Sequence, residues 1–393
     1  MRILGCIIVW IILVHSGHAG GMAPAIVPGA ESTAVYLPLL ANKNVGIVAN
    51  HSSRIKDIHL VDFLLANDIR VIRIFSPEHG FRGDADAGAV INSGKDSKTG
   101  LEIISLYGTH KKPLPGELKD IDIILFDLQD VGVRFYTYIS TLHYVMEACA
   151  ESGIHVVVLD RPNPNADYID GPVLKQEFTS FVGMHPVPVV YGMTIGEYAK
   201  MINGEGWMSV ETGCDLMVIS CKNYSHASRY SPSLPPSPNL PNFNAIRLYP
   251  SLCFFEGTMI SVGRGTDFPF QVFGHPDLET GSFYFTPESR PGAAVNPKLK
   301  GNSCRGFDLR DYCDIHDLNK INLEWLITAY RNFPRKSDFF TDYFIILSGT
   351  DKLKEQIEAG ITAEEIRAGW QEDIDNFKMI RSKYLIYPDG MNN

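Results

Sequence analysis

The fold is decided by four short, mostly apolar runs in the first half of the chain: Val45-Gly46-Ile47-Val48-Ala49, Arg70-Val71-Ile72-Arg73-Ile74-Phe75, Ile121-Asp122-Ile123-Ile124-Leu125-Phe126 and His155-Val156-Val157-Val158-Leu159. Their length and their β-branched residues are typical of buried strands. Helix-like patterns lie between them, at residues 58–66 and 140–150. Strands that are apolar on both faces and alternate with helices predict a parallel sheet covered by helices, a Rossmann-like α/β domain.

The composition of the chain changes near residue 200. A capping-box pattern at Thr194 and Glu197 opens a helix, and the turn-rich residues 203–206 follow it. We therefore predict a Rossmann-like α/β domain over residues 24–202 and a smaller α+β domain over residues 203–393. In the second domain we predict strands at 282–285 and 343–347 and a last helix over 363–382, which a second capping box opens at Thr362 and Glu365.

The overall composition is that of a globular protein. Hydrophobic residues make up 45% and charged residues 20% of the 393-residue chain, which excludes a disordered or fibrous protein. Asp plus Glu outnumber Lys plus Arg by 45 to 35, which gives a formal net charge of −10. Because nucleic-acid surfaces need clustered positive charge, we expect no nucleic-acid partner. A local basic pocket for a small anionic ligand is compatible with this charge.

The first residues predict the compartment. Arg2 gives a short positive start, residues 3–14 are almost entirely apolar, and Gly17 and Ala19 are small residues at the −3 and −1 positions of a cleavage site. We therefore predict a signal peptide over residues 1–19 and a periplasmic or secreted mature protein. No later stretch of the sequence reaches about 18 uncharged apolar residues, so we expect no membrane span.

Cysteine and glycine spacing bear on disulfides, metals and cofactors. Cys214 and Cys221 would lie ~23 Å apart in an extended segment, too far for a bond, whereas Cys304 and Cys313 flank a turn-rich stretch; the disulfide pairing stays open. The sequence has no C-x-x-C or H-E-x-x-H spacing, so we predict no metal site. No G-x-G-x-x-G follows the first strand, so the phosphate-binding turn of a dinucleotide site is missing and we predict no cofactor.

Polar side chains follow all four predicted strands. The segments are residues 50–54, 76–83, 127–138 and 160–164. In an open parallel sheet the ligand crevice lies beyond the carboxyl ends of the strands. We therefore predict one site at this edge, with Asn50 and His51 among its binding residues.

Glu78 is the first candidate for catalysis. It follows a buried strand, between Pro77 and His79, so its backbone is constrained and its side chain can face the crevice. An apolar wall such as Phe81 would favour the protonated carboxyl that a general acid needs. The alternatives are that Glu78 caps the next helix or pairs with Arg82. We expect His79 to be neutral or to face the substrate.

Two aspartates and three longer side chains follow the third strand. Asp127 and Asp130 are candidate catalytic carboxylates, although Asp127 is equally compatible with bonding the amides of its own loop. Arg134, Tyr136 and Tyr138 alternate, so they share one face if the segment is extended. Such a face suits stacking on a sugar ring and binding a carboxylate, and the same alternation fits an amphipathic strand.

The second half of the chain contributes a glycine-rich loop. Glu256 and Asp267 bracket this loop, which carries Arg264 between Gly263 and Gly265. Glycine permits close approach of the backbone to a ligand, and a long hairpin turn is the alternative. Asp267 is placed to hold the guanidinium of Arg264.

Several long motifs of the chain resemble one protein family. They are S-P-E-H-G-F-R-G at 76–83, D-L-Q-D-V-G-x-R-x-Y-T-Y at 127–138, L-D-R-P-N-P at 159–164, P-S-P-N at 236–239, F-E-G-T at 255–258 and G-R-G-T-D-x-P-F-Q at 263–271. In this order, over about residues 40–390, they resemble the exo-β-N-acetylmuramidase family. The resemblance implies hydrolytic release of terminal non-reducing N-acetylmuramic acid from β-1,4-linked peptidoglycan fragments. It also implies a Rossmann-like domain with a second domain closing an active-site cleft.

The resemblance also assigns roles to residues. Glu78 matches the glutamate of the family's E-H-G motif, the proposed catalytic carboxylate. Glycoside cleavage needs a proton donor and a second carboxylate or a water on the opposite face of the sugar. Candidates for that second group are Asp127, Asp130, Glu256 and Asp267. Candidates for binding the lactyl carboxylate of muramic acid are Arg134, Arg161 and Arg264, because a guanidinium binds a carboxylate through two hydrogen bonds.

Two other functions stay open from the sequence. A Rossmann-like glycosidase can use nicotinamide redox chemistry, and a requirement for NAD would identify it, although the missing glycine motif argues against it. A protein that binds cell-wall sugars without turning them over would show tight binding and no product. The oligomeric state is not predicted.

Overall fold

The structure, a computed structural model, describes residues 24–78, 80–82 and 94–390. The predicted signal peptide over residues 1–19 and His79 lie outside these residues. Among the described helices, none is long and apolar enough to cross a membrane. The cysteines from Cys149 to Cys313 are free thiols, so neither pair considered from the sequence forms a disulfide.

The centre of the molecule is a mostly parallel sheet. The strands of the N-terminal part are β1 (Val45–Ala49), β2 (Arg54–Ile55), β3 (Ile58–His59), β4 (Val71–Ser76), β5 (Gly94–Lys95), β6 (Glu102–Ser105), β7 (Ile123–Asp127), β8 (His155–Leu159) and β9 (Leu216–Ile219). Within the described residues, seven of them form one sheet in the order β5-β6-β4-β1-β7-β8-β9. All neighbours in it are parallel except β5 and β6, while β2 and β3 pair as a small hairpin. The four apolar runs form β1, β4, β7 and β8, which confirms the predicted α/β sheet.

Burial on both faces explains why the central strands are parallel. Every residue of β1 and of β7 is buried, and Ala49 lies opposite Asp127 in the paired register. Successive side chains point to opposite faces, so Ile47 and Val48 belong to two different hydrophobic clusters. The cluster that contains Val48 continues into the C-terminal part through residues such as Phe254. One face of the sheet therefore forms a common core with the second domain.

Helices cover the sheet, three of them near predicted positions and one, over residues 33–40, that was not predicted from the sequence. They are α1 (Thr33–Leu40), α2 (Leu60–Ala66), α3 (Tyr138–Ser152) and α4 (Ile195–Gly204). Gly153 ends α3 in the left-handed conformation, with φ of 66°. Both hydrogen bonds of the capping box between Thr194 and Glu197 are present at the start of α4.

The C-terminal part combines a small antiparallel sheet with helices. Its strands are β10 (Val272–His275), β11 (Phe283–Phe285) and β12 (Cys304–Asp308), in the order β10-β12-β11. Its helices are α5 (Phe243–Leu252), α6 (Tyr312–Ile315), α7 (Leu323–Arg331), α8 (Tyr343–Ser348), α9 (Lys352–Glu358), α10 (Ala363–Ala368) and α11 (Gln371–Ser382). Strand β9 lies C-terminal to residue 202, so the central sheet includes residues from the stretch that the sequence assigned to the second domain.

Two predicted elements of the C-terminal part are wrong. Residues 343–347 form the helix α8 and not a strand, because a short apolar run fits either state. Here Phe344 and Leu347 share the buried side of one helical turn. The single helix predicted over residues 363–382 is two helices, since α10 ends at Ala368 and α11 begins at Gln371.

Candidate active site

A cavity lies at the carboxyl edge of the sheet, between the two parts of the chain. It offers about 200 Å³ of space to the centre of a water-sized probe and opens to solvent at its mouth. Its wall contains two carboxylates, one guanidinium and a group of aromatic rings. The lining residues are Glu78, Tyr107, Phe135, Tyr136, Thr137, Tyr138, Phe181, Val182, Ser237, Asn239, Leu240, Tyr249, Cys253, Glu256, Arg264, Phe270, Tyr343 and Leu347.

Glu78 reaches the cavity from the end of strand β4, as the sequence predicted. Ser76 is the last residue of β4, and Glu78 follows it by two positions. The hydroxyl of Tyr107, which follows the neighbouring strand β6, is hydrogen-bonded to Glu78. Burial and the nearby charge of Glu78 raise the pKa of Tyr107, so its hydroxyl stays protonated. The Glu78 carboxylate and the Tyr107 hydroxyl therefore meet at the ends of two adjacent strands, β4 and β6.

Glu256 and Arg264 line the cavity from the C-terminal part of the chain. Glu256 lies in the 3₁₀ turn Cys253–Gly257, which follows α5 directly. Nε of Arg264 lies 3.2 Å from Oε1 of Glu256, and the guanidinium carbon lies 4.9 Å from the centroid of the Phe270 ring. Burial opposes the charge of Arg264, but the carboxylate of Glu256 raises its pKa on balance. The pair presents both signs of charge to the cavity.

Tyr343 lies near both Glu78 and Glu256. It lines the cavity from the start of α8. Burial raises the pKa of its hydroxyl, and the charges of both Glu256 and Glu78 raise it further. Both candidate carboxylates therefore lie close enough to influence one phenol.

Aromatic side chains form the rest of the wall. The rings of Tyr136 and Tyr138 meet edge to face with centroids 4.7 Å apart, and Tyr249 meets Phe270 in the same way at 4.9 Å. The Tyr136 hydroxyl donates to the carbonyl of Pro236 at 2.8 Å. Asn50, predicted as a binding residue, lies behind this wall, where its Nδ2 donates to the Tyr138 hydroxyl at 2.7 Å. Hydrogen bonds and ring contacts therefore hold the aromatic wall of the cavity in place.

Arg134 does not share the face of Tyr136 and Tyr138. Residues 134–137 form a turn, so the alternation that requires an extended chain does not apply. The Arg134 side chain is fully buried, and its guanidinium donates to the backbone carbonyls of Pro172, Val187, Leu347 and Ser348. Its hydrogen bonds hold the two parts of the chain together.

Asp127 and Arg161 neutralise each other below the cavity. Nε and Nη2 of Arg161 donate to the two carboxylate oxygens of Asp127 at 2.5 and 2.8 Å. Both side chains are buried, and neither lines the cavity. The predicted edge placement of both residues is correct, but each is the partner of the other.

Asp130 also lies outside the cavity wall. It is buried, and its Oδ2 accepts hydrogen bonds from the backbone N–H of Gly132 and the hydroxyl of Tyr191. Burial raises the pKa of Asp130 to about 6, in spite of these donors. This carboxylate stabilises the turn at the end of β7.

Asp267 does not hold Arg264. Its side chain is 78% exposed and pairs with Arg290 at 2.6 Å, while Glu256 takes the place beside Arg264. His51, a predicted binding residue, contacts the carbonyl of Pro235 through Nε2 at 2.7 Å and lines a separate cavity that includes Arg82 and Lys98. His79 lies outside the described residues.

The glycines of the Glu256–Asp267 loop serve close packing of the protein on itself. A Cβ on Gly257 would lie 2.4 Å from Cα of Phe344, so only glycine lets α8 approach. A Cβ on Gly265 would lie 2.4 Å from the carbonyl oxygen of Glu288, and its φ of 84° also favours glycine. These positions fix the loop instead of opening it to a ligand.

Three tyrosines of the site were missed from the sequence. Tyr107 follows a strand of four residues that we did not identify; with β6 recognised, the rule for strand ends would have indicated it. Tyr343 was assigned to a strand, and Tyr249 lies on α5 without a local signal. Within the described residues, no cluster of three or more His, Cys, Asp or Glu side chains is arranged to hold a metal ion.

Comparison with known proteins identifies the family. Two family models match, exo-β-N-acetylmuramidase NamZ N-terminal over residues 45–244 and its C-terminal counterpart over residues 247–387. The chain belongs to the exo-β-N-acetylmuramidase NamZ family. This is a family of glycoside hydrolases, and the match confirms the resemblance drawn from the motifs.

Individual proteins that are similar to this chain support its assignment to the NamZ family. The peptidoglycan β-N-acetylmuramidase NamZ of Bacillus subtilis strain 168 is 39% identical over 373 residues, which are 90% of this chain and 89% of the relative. Two solved DUF1343 family proteins from Bacteroides fragilis NCTC 9343 share the fold. The first has a TM-score of 0.85 and 46% identity, the second 0.79 and 29%, and each alignment covers 93% of this chain and 100% of the other.

Proposed function

We propose that the protein releases terminal non-reducing N-acetylmuramic acid from β-1,4-linked peptidoglycan fragments. The observation that carries the proposal is the position of Glu78 and Glu256 on the wall of one cavity, beside Arg264, in a member of this family. The B. subtilis relative is named a peptidoglycan β-N-acetylmuramidase, which supports the same substrate class.

In this proposal Glu78 is the general acid. Its carboxyl gives a proton to the glycosidic oxygen as the bond from that oxygen to C1 of the muramic residue breaks. Tyr107 holds the carboxyl in place through its hydrogen bond. Water supplies the hydroxyl that ends on C1, so the products are free N-acetylmuramic acid and a shortened fragment.

Glu256 is the second carboxylate of the proposed reaction. Among the four candidates drawn from the sequence, it lines the cavity, whereas Asp127, Asp130 and Asp267 do not. A negative carboxylate there stabilises the positive charge that develops at C1. It also serves as the base for water or as the nucleophile, and the separation of the two carboxyls decides between inversion, at about 6.5–9.5 Å, and retention, at about 5–5.5 Å.

Arg264 is our choice for recognition of the lactyl carboxylate. Its Nε is bonded to Glu256, and within the described part of the chain neither Nη1 nor Nη2 makes a hydrogen bond. These two nitrogens are the donors that a substrate carboxylate needs. Arg134 and Arg161, the other candidates, donate to protein groups and do not line the cavity.

The direct test is incubation of the protein, without its first 19 residues, with N-acetylmuramic acid β-1,4-linked to N-acetylglucosamine. We expect both monosaccharides to appear without added NAD or metal. A fragment that ends in N-acetylglucosamine at its non-reducing end should be cleaved far more slowly, because the proposed activity is exo-acting with a preference for the muramic residue. Tight binding without any product would instead support a sugar-binding protein.

We also propose that the protein acts outside the cytoplasm. The charged start, apolar stretch and small residues over positions 1–19 support export, and the proposed substrate is a cell-wall fragment. Expression of the full chain in a bacterial host, followed by intact mass measurement of the extracytoplasmic fraction, should give a protein that begins after residue 19. Recovery of the full-length chain in the cytoplasm would contradict export.

A further inference from the structure

Lys298 lies outside the cavity wall but binds the segment that carries Glu256. Its Nζ donates to the backbone carbonyls of Phe255, Glu256, Thr258 and Ile260, at 3.0, 3.3, 2.5 and 3.2 Å. All four carbonyls belong to one stretch of six residues. The Phe255 carbonyl also accepts the backbone N–H of Thr258 at 3.0 Å, so the ammonium adds to the hydrogen bonding of this turn between α5 and the Arg264 loop.

The contact combines charge with geometry. An ammonium has three N–H donors, and a bond from a charged donor is about twice as strong as a neutral one. Burial lowers the pKa of Lys298, and the nearby carboxylate of Glu256 opposes this effect. The four carbonyl dipoles and Glu256 therefore stabilise a cation that burial alone disfavours.

The segment is held from its other side by α8 and the residues before it. The backbone N–H of Thr341 donates to the carbonyl of Gly257 at 2.9 Å, and the N–H of Met259 donates to Phe339 at 2.9 Å. Gly257 packs directly on the backbone of Phe344. The backbone around Glu256 is therefore held on one side by Lys298 and on the other by residues 339–344.

The loop of Lys298 also contacts the loop of Arg264. The backbone N–H of Glu288 donates to the carbonyl of Gly265 at 2.9 Å. Cγ of Pro297 lies 2.6 Å from where a Cβ on Gly265 would be, so the two loops touch at this point. One connection between β11 and β12 therefore contacts the backbone of Glu256 and that of Gly265, the residue after Arg264.

We propose that Lys298 is a positioning residue, which holds the backbone of residues 255–260 so that the Glu256 carboxylate faces the bound sugar. The inference rests on the proposed function of Glu256. Lys298 itself does not touch the substrate. Its loss should lower kcat and leave KM nearly unchanged, because the aromatic wall and Glu78 stay in place.

The test compares Lys298→Met, which keeps the aliphatic stem, with Lys300→Met, which removes an exposed lysine from the same loop. We expect kcat of Lys298→Met on the muramic disaccharide to fall about 10²-fold, the loss that a displacement of ~1 Å can cause, with KM within about twofold. Lys300→Met should equal the wild type. In Lys298→Ala, methylammonium should restore part of kcat by entering the ring of carbonyls, whereas tetramethylammonium, which has no N–H donor, should not.

A second readout does not depend on activity. Amide hydrogen exchange of residues 255–262 should be faster in Lys298→Met than in the wild type, with the exchange of the central sheet unchanged. Unchanged exchange in this segment, or kcat within threefold of the wild type, overturns the proposal. A lower melting temperature of Lys298→Met together with its lower kcat, and no restoration of Lys298→Ala by methylammonium, also overturns the proposal. That result would indicate that Lys298 supports the fold as a whole. If the wild type does not cleave the disaccharide, the proposed function fails, while the exchange experiment still decides whether Lys298 holds the segment.

Discussion

Nε of Arg264 lies 3.2 Å from Oε1 of Glu256, in the wall of the cavity that Glu78 also lines. Within the described residues, Nη1 and Nη2 of Arg264 make no hydrogen bond, so the ion pair places a cation with two available donors beside the proposed second carboxylate. In the proposed reaction, Arg264 recognises the anionic sugar and Glu256, eight positions away in the sequence, stabilises the positive transition state.

Arg264→Ala should change substrate preference. If its guanidinium binds the lactyl carboxylate, kcat/KM for the muramic disaccharide should fall roughly 10- to 150-fold more than kcat/KM for any residual cleavage of a terminal N-acetylglucosamine, since a charge-assisted hydrogen bond contributes about 1.5–3 kcal/mol. Steady-state kinetics on both substrates measure this ratio. Arg335→Ala, at an exposed ion pair with Asp277, is the control. Equal loss on both sugars would show that Arg264 serves only Glu256.

Tyr107→Phe should lower kcat with a small effect on stability. The variant removes the hydroxyl that is hydrogen-bonded to Glu78 and keeps the ring. Because the general acid reacts as the neutral carboxyl, and a neutral hydrogen bond is worth about 0.5–1.5 kcal/mol, we expect kcat to fall by about twofold to tenfold. Tyr284→Phe, at an exposed ring, provides the comparison. Tyr107→Phe with wild-type kcat would mean that Glu78 does not need this partner.

Arg161→Ala should lower the free energy of unfolding. The substitution leaves the Asp127 carboxylate buried without its cation, which typically costs about 3–5 kcal/mol. Urea denaturation should show this loss in the free energy of unfolding, and the folded fraction should keep its preference between the two sugars. A selective loss on the muramic substrate at wild-type stability would instead place Arg161 in substrate recognition.

Asp130→Asn should alter how stability depends on pH. Burial raises the pKa of Asp130 to about 6, above its unfolded value of 3.8, so the native state favours the protonated carboxyl. The stability from this group is complete below pH ~3.8 and is lost as the pH rises through 6, by about 3 kcal/mol for a shift of this size. Between pH 4 and 7 the asparagine variant should therefore gain stability relative to the wild type. A constant difference in unfolding free energy across that range would contradict the raised pKa.

The sequence predicted those parts of the site that follow simple backbone rules. Glu78 was found because polar residues at the ends of parallel strands meet at one edge, and the apolar runs marked the strands clearly. Glu256 and Arg264 came from the glycine-rich loop and its family motif. In these cases local pattern and spatial position agree.

The errors have physical causes that a single sequence does not contain. The alternation of Arg134, Tyr136 and Tyr138 predicts a common face only in an extended chain, and the segment is a turn. Asp127 and Arg161 were both placed at the correct edge, but their mutual neutralisation depends on distances across strands. Tyr343 was misassigned because five apolar residues fit a helix and a strand equally well.

The most direct test of the account is the activity of Glu78→Gln on the muramic disaccharide. The amide keeps the shape of the side chain but does not deliver a proton as a carboxylic acid does, so we expect kcat to fall by about 10²–10⁴-fold at an unchanged melting temperature. Glu364→Gln, at an exposed position of α10, should retain full activity. Activity of Glu78→Gln within threefold of the wild type would contradict the role of Glu78 as the general acid.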